Sequence, residues 1–314
     1  MKRKTAYFSL ILIIAVCFCA CVNIDYEAVE QGTANTDANY VNENELDQNK
    51  NYVNQNQNTS SDSAEKDNSN ENYVNQSETD SNENYVNQKT EGSSDDEDWY
   101  YSETGAAIVP YGSLYPEGFD AELLPEYEGK KYVLINDGKP FFKEEDYKDE
   151  AFELYSSLDS QGRCGTAYAN ICPEIMPTEK RGDISEIHPT GWKQQRYDGI
   201  VDADPPYLYN RSHLIAYKLA GENANIYNLI TGTRYFNAVG MTYVEDRVYD
   251  YVKDTGNHVL YRVTPVFKDD ELVARGVLME AGSVEDDKIC FCEFVYNVQP
   301  GIYIDYATGE NHKE

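Results

Sequence analysis

Four histidines occur in the 314 residues, and only one of them stands among groups it could work with. His213 closes the run Asn210-Arg211-Ser212-His213 and is followed by an asparagine-rich passage from Gly221 to Thr233 that includes Asn228. Arg234, Asn237 and Glu245 come next. Together these supply a titratable base, fixed cations, neutral oxygen ligands and a carboxylate. A nucleophilic Ser212–His213 pair fails on geometry, because neighbours in an extended segment point to opposite faces. Phosphate chemistry fits better. A neutral imidazole with an ordinary pKa near 6.5 can take a proton from water, and on that value the rate should fall below about pH 6. An asparagine oxygen can hold Mg²⁺ without neutralising the charge that stabilises a phosphate transition state. Arg211 could grip the same phosphate through two parallel hydrogen bonds.

These groups need elements to hold them. Tyr207-Leu208-Tyr209 reads as a strand leading into the motif, and the pattern changes at His213. Met241, Val244, Val248, Tyr251 and Val252 recur at helical spacing with Gly256 as a stop, so Glu245 lies on a predicted helix. Phe142 to Leu158 reads as a looser helix, and Leu158 to Ala169 as a turn plus an extended segment. Three strands should follow, over His258 to Phe267, Glu271 to Met279 and Ile289 to Val298. The order of elements predicts an α+β domain with an antiparallel sheet.

Asn210-Arg211-Ser212-His213 resembles the Asp-Arg-Gly-His motif of the DNA/RNA non-specific endonucleases, the ββα-metal or His-Me finger nucleases. The likeness extends to Leu158 through Gly165, Tyr207 through Asn237, Asn297 through Gly301 and Ile304 through Gly309, and is closest to secreted bacterial DNA-entry nucleases. It implies a ββα-metal core with a central antiparallel sheet. It also implies a sugar-non-specific endonuclease that hydrolyses DNA and RNA to 5′-phosphate ends with one Mg²⁺, for which Mn²⁺ can substitute. By position, His213 matches the general base, Asn237 the metal ligand, and Glu245 the acidic helix residue that supports the hydrated ion. Asn228 matches an asparagine that supports the site, and Arg211 the motif arginine near the phosphate. Two residues depart from the pattern: Asn210 stands for Asp, removing a negative charge, and Ser212 stands for Gly. The competing reading is a surface-tethered nucleic-acid-binding protein or adhesin with an inactive nuclease-like domain.

The remainder of the chain concerns delivery. Lys2, Arg3 and Lys4 precede an apolar stretch from Ala6 to Val22, an export signal too short for a comfortable span. Its end, Phe18-Cys19-Ala20-Cys21, resembles a bacterial lipobox, which implies cleavage before Cys21, lipidation of its thiol, and attachment to the cell surface, with simple secretion as the alternative. Residues 22–105 are rich in Asn, Ser and acidic groups and should form a disordered tether, with the unit Asn-Tyr-Val-Asn recurring at Tyr40, Tyr52, Tyr73 and Tyr85. The nuclease domain then occupies 106–314. The expected partners are DNA and RNA as substrates and a membrane through the lipid; no protein partner is predicted.

Charge argues against the substrate at first sight. The chain carries 26 basic and 56 acidic side chains, a net −30, and residues 101–314 still hold 20 against 37. No basic footprint for phosphate is visible, so contact must rest on a few arginines and a bound cation. Arg163, Arg181, Arg196, Arg234, Arg262 and Arg275 are the candidates, whereas Arg181-Gly182-Asp183 reads as a chance tripeptide. Cys164, Cys172, Cys290 and Cys292 permit one or two disulfides in an oxidising setting but lack the spacing of a zinc knuckle. His188 and His258 read as structural.

Overall fold

The computed structural model describes Tyr100–Tyr101 and residues 105–314. The leader, Cys21 and the repeats lie outside the described residues. One sheet is built from β1 (Tyr100–Tyr101), β2 (Ala107–Val109), β3 (Tyr132–Leu134), β4 (Phe152–Ser156), β5 (Ala167–Ile171), β8 (Val259–Val266), β9 (Gly276–Ser283) and β10 (Cys290–Tyr296). Between β5 and β8 the chain leaves this sheet to form a separate antiparallel pair, β6 (Tyr209–His213) and β7 (Leu229–Thr233). The short helix α1 (Tyr217–Ala220) lies inside their connection, and the main helix α2 (Thr242–Thr255) follows. A last hairpin joins β11 (Ile302–Ile304) to β12 (Asn311–Lys313).

The strand order is β1-β2-β4-β5-β8-β9-β10-β3. Every neighbour pair is antiparallel except β2 with β4. Both faces of the sheet are covered, which is why β8 and β9 are buried along their whole length and read as apolar runs rather than as alternation. On one face Val277, Met279 and Val295 join the cluster that receives Val244, Val248 and Val252 of α2. On the other, Leu278, Cys292, Phe294 and Tyr296 pack with Phe119 and Phe141. Each fully buried valine of α2 stabilises the docked helix by about 1.5–3 kcal/mol relative to exposure. Gly256, at φ 73°, ends the helix as its stop signal predicts.

Two expected elements differ. Phe142 to Leu158 is not a helix: a single 3-10 turn spans Glu144–Asp146, and Phe152–Ser156 is strand β4. Pairing with β5 wins there, because Phe152 and Leu154 find partners in Asn170 and Tyr168 while the charged run before them has no apolar stripe to bury. The middle strand of the final three begins at Gly276 rather than Glu271, since residues 268–275 form the turn in which Asp269 takes φ 48°. Of the two states the sequence allows for its cysteines, disulfide-bonded or free, three show the second. Cys164, Cys172 and Cys292 are free thiols, and Cys164 Sγ donates to the carbonyls of Ile226 and Leu229. No described helix is long and apolar enough to cross a membrane.

Candidate active site

His213 is the last residue of β6 and pairs with Leu229, the first of β7. Directly after it, Asn228 clamps the chain. Its Oδ1 accepts from Ile215 N–H at 2.8 Å, its Nδ2 donates to Ile215 O at 2.9 Å, and its own carbonyl accepts from Leu214 N–H at 2.8 Å. Asn228 has no exposed surface and therefore acts on the site only by fixing the backbone beside His213. The imidazole is 8% exposed, with Nε2 2.8 Å from the carbonyl oxygen of Asn223. A carbonyl can only accept, so Nε2 carries the proton and the neutral ring keeps its lone pair on Nδ1. The sequence motif picks out His213; the carbonyl of Asn223 selects its tautomer.

Burial pushes the His213 pKa down to about 3, with the positive charge of Arg181 as the second cause, opposed by the hydrogen bond to Asn223. This revises the expected acid limb, because a base that stays neutral does not switch off near pH 6. It also has a stability consequence. The folded value lies below the unfolded one near 6.5, so only the unfolded chain takes up a proton between about pH 6.5 and 3. The contribution to stability is complete above that window and is lost as pH falls through it. We expect the cleavage rate to hold between about pH 8 and 5 as far as this group is concerned. Arg181→Ala should raise the His213 pKa, measurable by NMR titration of the ring. An unchanged or lower pKa in that variant would remove Arg181 from the site.

The second half of the site is set by the turn out of β7. Thr233 Oγ1 accepts from Phe236 N–H at 3.0 Å and donates to Val298 O at 2.6 Å. Asn297 Oδ1 accepts from Thr233 N–H, and Gln299 Oε1 accepts from Tyr235 N–H. The segment that follows β10 thus fixes where the helix begins. A π turn spans Phe236–Met241 before α2 starts. In an unbroken α-helix, residues eight apart are about 2.2 turns separated and diverge by roughly 80°. The wider π turn takes up that difference, which brings Asn237 and Glu245 toward one face.

Asn237 is half-buried, and its backbone oxygen accepts from Thr242 Oγ1 at 2.9 Å, while its carboxamide makes no hydrogen bond among the described residues. Glu245 is 7% exposed and lies 3.9 Å from Lys218 Nζ, which pairs more closely with Asp246. The Asn237 carboxamide and the sheltered Glu245 carboxylate offer oxygen donors only, the kind of donor that suits a hard divalent cation.

Other expected residues have different employment. Arg211 Nε donates to Ile187 O and its Nη2 to Ser185 O, and the guanidinium stacks 4.5 Å from the Trp192 ring centroid. Those donors anchor the 185–187 loop to the hairpin. Asn210 is half-buried opposite Gly232, and strand alternation puts it on the face away from His213. Ser212 is fully buried in ordinary strand backbone, so no left-handed conformation is demanded of it. Of the six other candidate arginines, Arg163 is held by Asp159, Arg262 by Glu280 and Arg275 by Glu271. Arg181 alone among them acts on His213. Its tripeptide has a structural use: a Cβ on Gly182 would lie 2.8 Å from Asn223 Nδ2, and Asp183 accepts from Ser185 N–H.

Comparisons with known proteins agree with this architecture. The family model described as DNA/RNA non-specific endonuclease matches residues 144–285. A curated deoxyribonuclease of Streptococcus dysgalactiae subsp. equisimilis is 35% identical over 108 residues, 33% of this chain and 32% of that protein. The chain thus aligns with about a third of the length of this relative. NucA from Streptococcus agalactiae, in crystal structures with a magnesium ion bound and with no metal, superposes with TM-scores of 0.50 and 0.52 at 28% and 27% identity. The two alignments cover 58% and 62% of this chain and 86% and 92% of NucA. The two-stranded unit carrying His213 and the helix that follows it both fall within residues 144–285, the part of this chain that matches the DNA/RNA non-specific endonuclease family.

Proposed function

We propose that the protein is an exported, Mg²⁺-dependent endonuclease that hydrolyses phosphodiester bonds of DNA and RNA to 5′-phosphate ends. The observation that carries this reading is the His213 ring, sheltered from water and held by Asn223 O in the tautomer whose Nδ1 can accept a proton. His213 takes a proton from the attacking water. Arg181 contributes positive charge beside it, where the phosphate needs charge compensation. Asn237 would hold the cation, with Glu245 supporting it; a bound Mg²⁺ supplies positive charge to the phosphate and its leaving oxygen. NucA, which has been crystallised with magnesium, supports the choice of ion. Export is supported by the basic and then apolar N-terminus, and lipid attachment by Ala20-Cys21.

The test is incubation of the protein with supercoiled plasmid and with RNA, with and without EDTA. Both substrates should be degraded, EDTA should stop it, and Asn237→Ala should lose cleavage together with Mg²⁺ affinity. A gel shift without cleavage would replace this reading by a binding module. Cleavage unaffected by EDTA would remove the metal.

A further inference from the structure

A second group of ligand-type side chains lies where β5 ends and β8 begins. The antiparallel register pairs Ile171 with Val259, so the next residues outward, Cys172 and His258, meet across the end of the two strands. Glu174 is two residues further, in a turn closed by Ile175 N–H donating to Cys172 O at 3.2 Å. One ligand atom from each of Cys172, Glu174 and His258 falls within 4.8 Å of the others. The thiol hydrogen-bonds the Glu174 carboxylate, so the pair is already oriented.

The histidine is oriented as well. Its Nδ1 lies 2.6 Å from Glu285 Oε1, and its backbone N–H donates to the same carboxylate at 2.9 Å. With Nδ1–H donating to the Glu285 carboxylate, the lone pair of the neutral ring rests on Nε2. A carboxylate behind an imidazole is the usual support of a metal-binding histidine.

We propose that Cys172, Glu174 and His258 bind a borderline-soft divalent cation of the zinc class, with Glu285 as the positioning residue. A sulfur, a nitrogen and an oxygen make a zinc-type set with a fourth position for water, whereas Mg²⁺ prefers oxygen alone. Ligand atoms around tetrahedral zinc stand roughly 3.3–3.8 Å apart, so the group must contract by about 1 Å. Glu174 is exposed and supplies that movement, while Cys172 is fully buried and His258 is pinned. On binding, the Cys172 S–H bond breaks, the electron pair stays on sulfur and forms the sulfur–metal bond, and the proton leaves to solvent. The neutral imidazole and the carboxylate keep their protonation states. The ion staples the end of β5 to the start of β8, with Glu285 extending the link to the segment after β9.

None of these residues belongs to the His213–Asn237 site, so the two can be separated by experiment. Co²⁺ titrated into the full chain should give a thiolate-to-metal charge-transfer band, and one equivalent of Zn²⁺ should bleach it. The band should persist in Asn237→Ala and vanish in Cys172→Ser. Glu285→Gln, which removes no ligand, should weaken Zn²⁺ binding about 10- to 100-fold, so the proposal remains testable if Cys172→Ser does not fold. Absence of the band, its survival in Cys172→Ser, its loss in Asn237→Ala, or unchanged Zn²⁺ affinity in Glu285→Gln would overturn the assignment.

Discussion

Replacing His213 by alanine is expected to lower the rate of plasmid cleavage by about two to four orders of magnitude, the usual contribution of a positioned general base. The size follows from the absence of a substitute. Ser212 is buried on the opposite side of the strand, and Asn228 spends its side chain on Ile215. His188 lies 3.5 Å from Arg211 Nη2 and in edge contact with Trp192, in the loop the arginine anchors. The loss should appear in kcat with little change in Mg²⁺ affinity, since the imidazole is not among the oxygen donors. Asn223 O would lose its ring donor, so a modest fall in stability is also expected; thermal unfolding of the variant separates this from misfolding. Cleavage at the wild-type rate would eliminate His213 as the base.

Arg262→Ala should cost about 3–5 kcal/mol of stability, through what it leaves behind in the sheet. Arg262 on β8 meets Glu280 on β9 in a two-pronged pair, at 2.8 and 3.0 Å, between directly opposed positions. Glu280 has no exposed surface, and its Oε1 also accepts from Phe141 N–H at 2.7 Å. The arginine stacks on Phe142, with its Cζ 4.8 Å from the ring centroid. Removing it strands a carboxylate in the sheet and opens a gap beneath the aromatics. For a domain of this size the deficit corresponds to a fall in Tm of order 10 °C. A double change, Arg262→Met with Glu280→Leu, should recover much of it, because the apolar pair has no desolvation penalty. A double variant as unstable as the single one would show that the contacts to Phe141 and Phe142, not the stranded charge, dominate.

The candidate site residues stand out in the sequence more clearly than the contacts that hold them. His213, Asn237 and Glu245 lie within 33 residues of one another on elements with local signatures, a strand followed by a helix of clear period. Their supports are remote in sequence. Asn297 and Gln299 reach the helix start from more than 60 residues away, and Asn223 acts through its backbone carbonyl, which no side-chain pattern encodes. Arg181 was visible only as one arginine among several, and charge counting could not tell it from Arg163, Arg262 and Arg275, whose carboxylates are brought by pairing and turns. The π turn was hidden because one additional residue in a turn leaves no mark on composition. Likewise Phe152-Glu153-Leu154-Tyr155 became a strand because β5 was present to receive it.

Ser212 and Gly232 carry a consequence for how this sequence can change. Ser212 is buried in space that exists because residue 232 has no side chain: a Cβ there would come within 2.2 Å of Ser212 Oγ and 2.6 Å of Phe236 Cδ1. The three positions share one fixed volume, so their substitutions are not independent. A glycine at 212 would relieve one obstruction, but residue 232 could grow only after Phe236 had also been cut back. In a mutational lineage the order of events is therefore constrained: enlargement at 232 must come last, and reversion at 212 is closed once it has occurred.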